Sequence, residues 1–468
     1  MKALLLLVLT LFLAEGEPPT PQQRVAELKR RCATRRVELG DRSRKRKLGT
    51  DARAHFLAAL HLDRSNRTAR SRLGHRKGKD GTWSREREKT FADGKGAREK
   101  NGENQYRDEI AVVRSEAAAF AELGAALMAE NHIDVARPLL LRASFLDPAN
   151  AAAARGLLLV PIHTGFGTLE DAEHVRAAPT ASKADIQGHL SRTVGTRTTV
   201  MACGSVLAES PTGGSPLGEL ARLGDQVQRL TSRRFSLTPR GLSWMMLVVA
   251  RGQPQFHTFV DRCGLPEPRR STCKRLGFLR MWQPRPFIST FVVPMADVRN
   301  ARLRLNHALA EMVLRNSGGP HVPAWILEAA GMDANLTFSG RPGPLCVVYE
   351  ESTGLRQKEQ LGDPAGWPAL LLRRAATGRI ARLEHMISAQ FQALGTEDVI
   401  TAHAYYRLLH LTRRKGLGGY VAAHKVSKDS AANFQASFGI TPDHLTEELR
   451  TVLLGSPPIV PPGRPAGK

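Results

Sequence analysis

One apolar stretch, Leu305 to Gly331, constrains the fold more than any other part of this sequence. It carries His307 and Glu311, which are four residues apart and therefore share one face of a helix. Two side chains with this spacing can bind the same metal ion. Apolar residues surround them in the sequence, among them Leu309. The stretch therefore predicts a helix that holds two polar groups side by side within apolar surroundings.

The spacing is that of the HExxH motif of zinc peptidases. In that motif two histidines bind zinc, and the glutamate after the first histidine is the general base for the metal-bound water. Here His307 stands at the first histidine position, Ala308 at the base position and Glu311 at the second histidine position, and no HExxH occurs elsewhere in the 468 residues. Loss of a general base typically lowers a rate by about two to four orders of magnitude. The sequence predicts that hydrolysis is lost or uses an unusual base.

Further segments extend this comparison. Residues 322–330, VPAWILEAA, follow a P-x-W-x-x-E-G-x-A pattern with alanine in place of the glycine, and residues 405–411 and 431–440 look like closing helices of the same group. Together these elements resemble the peptidase MA-like family, bacterial zinc peptidases of the gluzincin type. The resemblance implies a zincin-like α+β domain over residues 196–454 with a small helical C-terminal subdomain. It also implies that Glu328 is the third metal ligand.

The resemblance makes His307, Glu311 and Glu328 the ligands if a metal is bound, with zinc as the ion. Two carboxylate ligands leave a metal a weaker Lewis acid than two histidines do. The alternative is that His307 packs within its helix and that Glu328 is solvated or paired with arginines. Apart from zinc, no cofactor is expected.

Tyr405, Tyr406 and His403 are candidates for hydrogen-bond donors on the oxyanion side of such a site. A phenol or an imidazole N–H can stabilise a developing oxyanion. Ordinary helix packing is the alternative for all three. It is also the preferred interpretation of Trp325 and Pro323, so no catalytic residue is assigned.

The N-terminal half contains an internal repeat. Residues 52–66 and 136–150 both end in Leu-Asp-x-x-Asn and resemble the second helix and turn of tetratricopeptide-type repeats. A basic helical segment is therefore expected at 24–73 and a second repeat-like segment at 111–160. Residues 74–110 are rich in Lys, Arg, Glu and Gly without apolar periodicity, which predicts a charged flexible linker.

The two ends of the sequence predict export and disorder. Lys2, an apolar run from Ala3 to Ala14 and a small residue at Gly16 have the layout of a secretory signal peptide over residues 1–16. The expected location is the periplasm, the cell envelope or the exterior. Residues 455–468 include five prolines and predict a disordered tail.

The basic composition bears on the partners. The net charge is +24, and residues 24–110 hold 26 Lys and Arg against 13 Asp and Glu, a net of +13. Such a surface can bind acidic envelope polymers, a membrane surface or nucleic acid. Export and an aromatic content of 6% without stacking platforms argue against nucleic acid. The alternative is that the abundance of arginine reflects genomic base composition and has no binding role.

The five cysteines are few and widely spaced, and their odd number leaves at least one thiol over. Cys263 and Cys273 are the predicted pair because both lie in one short polar connection. No CxxC or Cys/His cluster suggests a structural zinc site.

The sequence thus predicts an α+β protein with an N-terminal tetratricopeptide-like helical region and a zincin-like domain. The first functional hypothesis is an exported envelope protein with a degenerate metallopeptidase-like domain that binds a protein or peptide partner, or acts as a scaffold. The alternatives are an active zinc metallopeptidase and a basic adhesive module for acidic polymers.

Overall fold

The chain folds into two units, each with its own internal contacts. The first contains Met1–Leu157, Pro368–Arg379 and Arg450–Lys468, and the second contains Leu158–Trp367 and Ile380–Leu449. The computed structural model describes residues 18–79, 81–84, 89–213, 215–237, 244–281, 288–294, 298–342, 363–389 and 394–455.

Helices predominate among the described residues. In chain order they are α1 (Pro21–Lys45), α2 (Gly49–Leu62), α3 (Arg67–Leu73), α4 (Ala97–Ala129), α5 (Ile133–Leu146), α6 (Ala151–Gly156), α7 (Leu169–Arg176), α8 (His189–Val194), α9 (Ser215–Arg234), α10 (Gln253–Arg262), α11 (Glu267–Leu276), α12 (Val298–Gly318), α13 (Ala324–Ser339), α14 (Trp367–Ala376), α15 (Leu383–Ile387), α16 (Thr396–Thr412), α17 (Arg414–Ala423), α18 (Ser430–Phe438) and α19 (Pro442–Leu454). The strands are β1 (Arg76–Lys77), β2 (Trp83–Ser84), β3 (Val160–Ile162), β4 (Gly165–Gly167), β5 (Ser182–Lys183), β6 (Thr199–Cys203), β7 (Val206–Ser210), β8 (Trp244–Ala250), β9 (Leu279–Met281) and β10 (Ile288–Pro294).

The repeat in the sequence corresponds to two equivalent sets of helices in the first unit. Helices α2 and α5 both have 14 residues, and Asp63 and Asp147 are their C-cap residues. Each aspartate accepts a hydrogen bond from the backbone two residues further on. Asn66 and Asn150 then cap α3 and α6 through their side chains. The Leu-Asp-x-x-Asn signature therefore ends one helix and begins the next.

Close helix packing follows the same repeat. A Cβ atom on Gly40 of α1 would lie 2.5 Å from the Phe56 ring of α2, and one on Gly124 of α4 would lie 2.8 Å from the Leu140 side chain of α5. Real Cβ atoms essentially never approach so closely. Glycine at both positions lets the paired helices touch, which is a feature that the sequence signature alone did not predict.

The segment 74–110 differs from the predicted flexible linker. Strands β1 and β2 pair within it, and α4 begins at Ala97. Glu109 of α4 is fully buried, with Oε1 3.2 Å from His55 Nε2 and Oε2 2.7 Å from Arg373 Nη1. Polar partners rather than apolar residues hold this part of α4 in place. Hydrophobic periodicity therefore did not indicate a helix here.

The second unit contains a six-stranded sheet of order β5-β6-β7-β8-β10-β9. The β7–β8 and β8–β10 pairs are parallel, and the other pairs are antiparallel. Strand β9 forms one edge of this sheet. Helix α9 packs against the sheet and against α12, where Gly224 leaves room for Val206, Leu247 and Leu309. This mixture of helices and mixed sheet is compatible with the predicted α+β class.

Other predictions meet the structure in part. Cys263 and Cys273, the predicted pair, are free thiols, and the Cys263 Sγ donates a hydrogen bond to the Val260 carbonyl at 3.2 Å. The predicted signal peptide at 1–16, the tail beyond Gly455 and Cys346 lie outside the described residues. Among the described helices, none combines the length and the apolar character that crossing a bilayer requires.

Candidate metal-ligand cluster

Two packed helices bring the three predicted ligands together. His307 and Glu311 lie on α12, and Glu328 lies on α13, which begins after Pro323. The three side chains are at most 2% exposed. Because His307 and Glu311 are one turn apart, they present the same face of α12 to α13. The three residues are called the His307 cluster below.

The His307 cluster has the dimensions of a metal site. His307 Nε2 lies 3.0 Å from Glu311 Oε1 and 3.4 Å from Glu328 Oε2. One ligand atom from each residue lies within 4.8 Å of the other two. Tetrahedral zinc with bonds of about 2.1 Å holds its ligand atoms about 3.4 Å apart. The cluster can therefore supply one nitrogen and two oxygen ligands to a single ion.

Gly331 makes room for the His307 imidazole. It lies on α13 one turn beyond Glu328, and a Cβ atom there would be 2.6 Å from Cγ, Nδ1 and Cε1 of the ring. A glycine inside a helix costs about 1 kcal/mol relative to alanine, so such a residue usually has a packing reason. The close approach of the ring is that reason here. This glycine was missed as a site residue in the sequence.

Arg280 brings a positive charge to the cluster from the edge strand β9. Its Nη1 pairs with Glu311 Oε2, while Glu311 Oε1 faces His307. Burial by itself raises the pKa of Glu311, but Arg280 and His307 together lower it to about 2. A carboxylate with so low a pKa is a weak base near neutral pH. No sequence pattern indicates this pair, because Arg280 lies 31 residues before its partner.

The general-base position holds no proton acceptor. Ala308 is 1% exposed and offers only a methyl group. Tyr405, a candidate oxyanion donor, instead donates to the Ala381 carbonyl at 2.7 Å and lies 3.1 Å from Thr446 Oγ1. These contacts tie the Tyr405 hydroxyl to the segment before α15 and to α19.

Tyr406 and His403, the other two candidates, both face Asp333. The Tyr406 hydroxyl lies 3.4 Å from Asp333 Oδ2, and its ring stacks on Phe235 at 5.6 Å. His403 Nε2 lies 3.8 Å from Asp333 Oδ1. Asp333 follows Glu328 by five residues on α13, which places it about 140° around the helix. These side chains therefore belong to a different cluster.

That second cluster is buried and was not predicted from the sequence. Arg234, at the end of α9, pairs with Asp333 and lies 3.8 Å from Asp171 Oδ2 on α7. Arg414 pairs with the other oxygen of Asp171, and His410 Nε2 lies 3.8 Å from Oδ2. Burial first, and then the charge of Arg234, lowers the pKa of His410 to about 3. The cluster thus joins several helices of the second unit through charged groups.

Substituting Gly331 with alanine is expected to displace the His307 imidazole. The added methyl group must push the ring aside, and overpacking of this kind costs about 1–3 kcal/mol. The gain in helix propensity, about 1 kcal/mol, offsets part of that cost. Urea denaturation followed by circular dichroism measures the net loss in the free energy of unfolding.

Gly419→Ala is the matched control for this substitution. Gly419 is also helical and in the second unit, but it is exposed, and a Cβ atom there would meet only the Ser437 Oγ at 3.7 Å. Gly419→Ala is expected to raise the free energy of unfolding by about 0.5–1 kcal/mol. Equal stabilisation by both substitutions would show that the His307 imidazole does not need the space that Gly331 leaves.

The His307 cluster combines metal-ligand chemistry with an internal cation, Arg280. It offers nitrogen and oxygen ligands, but Ala308, at the position where the resemblance expects a general base, has only a methyl group. No model of a known protein family matches this sequence, no curated protein matches it, and no solved structure matches its fold.

Proposed function

We propose that this chain is an exported cell-envelope protein whose zincin-like domain has lost hydrolysis and acts by binding or scaffolding. The observation that carries the proposal is Ala308, a buried methyl group where a peptidase of this kind holds its general base. Glu311 is a poor substitute, because its pairing with Arg280 helps to keep its pKa at about 2. Peptide hydrolysis therefore lacks a proton acceptor at the expected place.

A binding role is supported by the helix sets of the first unit. Two sets of helices, each with a glycine contact between its first two helices, are compatible with the tetratricopeptide-like repeats that the sequence predicts. Repeat helices of this type commonly bind peptides or other proteins, a step that rests on analogy of fold. A protein or peptide is therefore the proposed partner.

Export is the part of the proposal that rests on sequence alone. The apolar run from Ala3 to Ala14 after Lys2 has the layout of a signal peptide. The proposed location is the periplasm, the cell envelope or the exterior, where a nucleic acid is not the expected partner.

An active zinc peptidase is the second candidate function. It is favoured by the short distances within the His307 cluster, whose three ligand atoms lie within 4.8 Å of one another. The residues present fit the ion, and His307, Glu311 and Glu328 would hold it. Zinc would polarise a substrate carbonyl, but a base outside the usual motif would still be required.

A basic adhesive module is the third candidate. On and just after α1, the side chains of Arg30, Arg31, Arg44, Lys45 and Lys47 are exposed. Several neighbouring arginines, in contrast, are used in ion pairs with α4 or the residue after it. The exposed basic groups would bind acidic polymers or a membrane surface. Elution from polyglutamate with rising salt would support this function, because salt screens exposed charges beyond about 8–10 Å.

The proposal is tested by incubating the full mature chain, supplied with zinc, with casein and with a random peptide library. Wild-type protein is expected to cleave neither substrate faster than His307→Ala, which removes the only nitrogen ligand of the cluster. Zinc-dependent cleavage that His307→Ala abolishes would overturn the loss of hydrolysis. Retention of uncleaved peptides on the immobilised chain supports binding, and retention of none contradicts the choice of a peptide partner.

A further inference from the structure

The His307 cluster needs a positive charge, whatever its function. Glu311 and Glu328 are fully buried, and a buried carboxylate without a cation or several hydrogen bonds is strongly unfavourable. In a metal site the ion supplies that charge. Here the Arg280 guanidinium, which pairs with Glu311, brings a positive charge to this place.

The contact of Arg280 is the kind that competes with a metal ion. Its guanidinium binds Glu311 Oε2, and His307 takes Oε1, so both oxygens of this carboxylate are engaged. Arginine stays protonated at all physiological pH values, so protonation changes do not release the carboxylate. A metal ion that used Glu311 would have to share it with this cation or displace it.

The position of Arg280 allows such displacement. Strand β9 has three residues and is paired with β10 on one side only, because it forms the edge of the sheet. The Arg280 side chain is 23% exposed, whereas Glu311 is fully buried behind it. The guanidinium therefore reaches the cluster from the solvent side and does not belong to its buried wall.

We propose that the Arg280 guanidinium takes the place of a metal ion, and that the His307 cluster is a divalent-cation site kept closed by this internal cation. The inference deepens the proposed function and rests on it, since a domain without hydrolysis no longer needs its metal. The expected ligand is a divalent ion that accepts one nitrogen and two oxygen donors, such as Zn²⁺, Mn²⁺ or Co²⁺.

The test compares metal binding by the full chain and by Arg280→Met. After removal of metal with a chelator, each protein is titrated with Zn²⁺ and with Co²⁺, whose visible spectrum reports its ligands. Arg280→Met is expected to bind one ion per chain at least about 100-fold more tightly than wild type, because a repulsive charge next to the ligands is removed. Arg280→Met/His307→Ala is expected to lose that gain.

Two controls separate this effect from general ones. Arg275→Met removes one exposed charge from the helix preceding β9, and no contact of Arg275 with the cluster is seen. It is expected to bind metal as wild type does. Circular dichroism establishes that the variants fold, and Arg280→Gln replaces Arg280→Met if the latter does not.

The outcomes distinguish this inference from the proposed function. If Arg280→Met and Arg280→Gln gain no metal affinity, the internal-cation role is wrong, while the loss of hydrolysis stands on the separate cleavage assay. If wild type already binds the ion as tightly as Arg280→Met, Arg280 does not close the site, and the inference also fails. Zinc-dependent cleavage by wild type would overturn the proposed function itself.

Discussion

Trp325→Ala is expected to lower the free energy of unfolding of the second unit by about 3–5 kcal/mol. Trp325 is fully buried on α13, and its indole Nε1 donates to the Tyr420 hydroxyl at 3.2 Å. Tyr420 in turn contacts the rings of Phe434 and Phe438. Removing the indole leaves a cavity and takes a hydrogen bond from a buried hydroxyl.

Trp325→Phe separates the loss of ring volume from the loss of the hydrogen bond. It keeps most of the ring volume but loses the N–H donor, so a smaller loss of about 1–2 kcal/mol is expected. Urea denaturation followed by far-ultraviolet circular dichroism compares the two variants without relying on tryptophan fluorescence. Near-wild-type stability of Trp325→Ala would contradict the stabilising role of this buried indole.

Because Trp325 lies three residues before Glu328 on α13, the same variant also perturbs the helix that carries the Glu328 carboxylate of the His307 cluster. The packing core and the His307 cluster thus share one element. This explains why the sequence around residues 322–330 combines a strongly apolar pattern with a single carboxylate.

Local signals are sufficient to predict several elements of the fold. Trp244–Ala250 is predicted as a strand and Pro442–Leu454 as a helix, with the bounds that the structure has. An apolar run with β-branched residues and an amphipathic period after a proline encode these elements within a few residues. The i, i+4 spacing likewise places His307 beside Glu311 from the sequence alone.

The rest of the site depends on tertiary structure. Whether Gly331 faces a ring depends on how closely α12 and α13 approach. Arg280 meets Glu311 because β9 pairs with β10 at the sheet edge, which neither residue encodes locally. Polar pairing also explains the error at 74–110. There Glu109 is buried by charged and polar partners from distant segments, and hydrophobic periodicity does not detect such contacts.

The cluster around Arg234 also depends on tertiary contacts that the local sequence does not encode. It leads to a prediction as large as that for Trp325→Ala. Arg234→Met is expected to cost about 3–5 kcal/mol near neutral pH, because it leaves Asp333 and Asp171 with less positive charge in a buried site. Arg233→Met is the matched control. Arg233 forms an exposed ion pair with Glu170, and such surface pairs contribute about 0–1 kcal/mol.

The pH dependence of this cost makes the prediction specific. Burial alone raises the pKa of Asp333, but Arg234 and then His403 hold it well below its usual range in the wild type. A carboxylate whose folded pKa is depressed adds stability above its unfolded pKa, near 3.9, and loses that stability as the pH falls further. Arg234→Met lacks this contribution at every pH, so its difference from wild type in the free energy of unfolding is expected to be largest above about pH 5 and to narrow below about pH 4.

His410 is expected to narrow this stability difference further in acid. Arg234 lowers the pKa of His410, so the imidazole accepts a proton more readily in the variant than in wild type. Urea denaturation at several pH values measures the difference in the free energy of unfolding between wild type and Arg234→Met. A difference that widens on acidification would contradict the ion-pair origin of the stability.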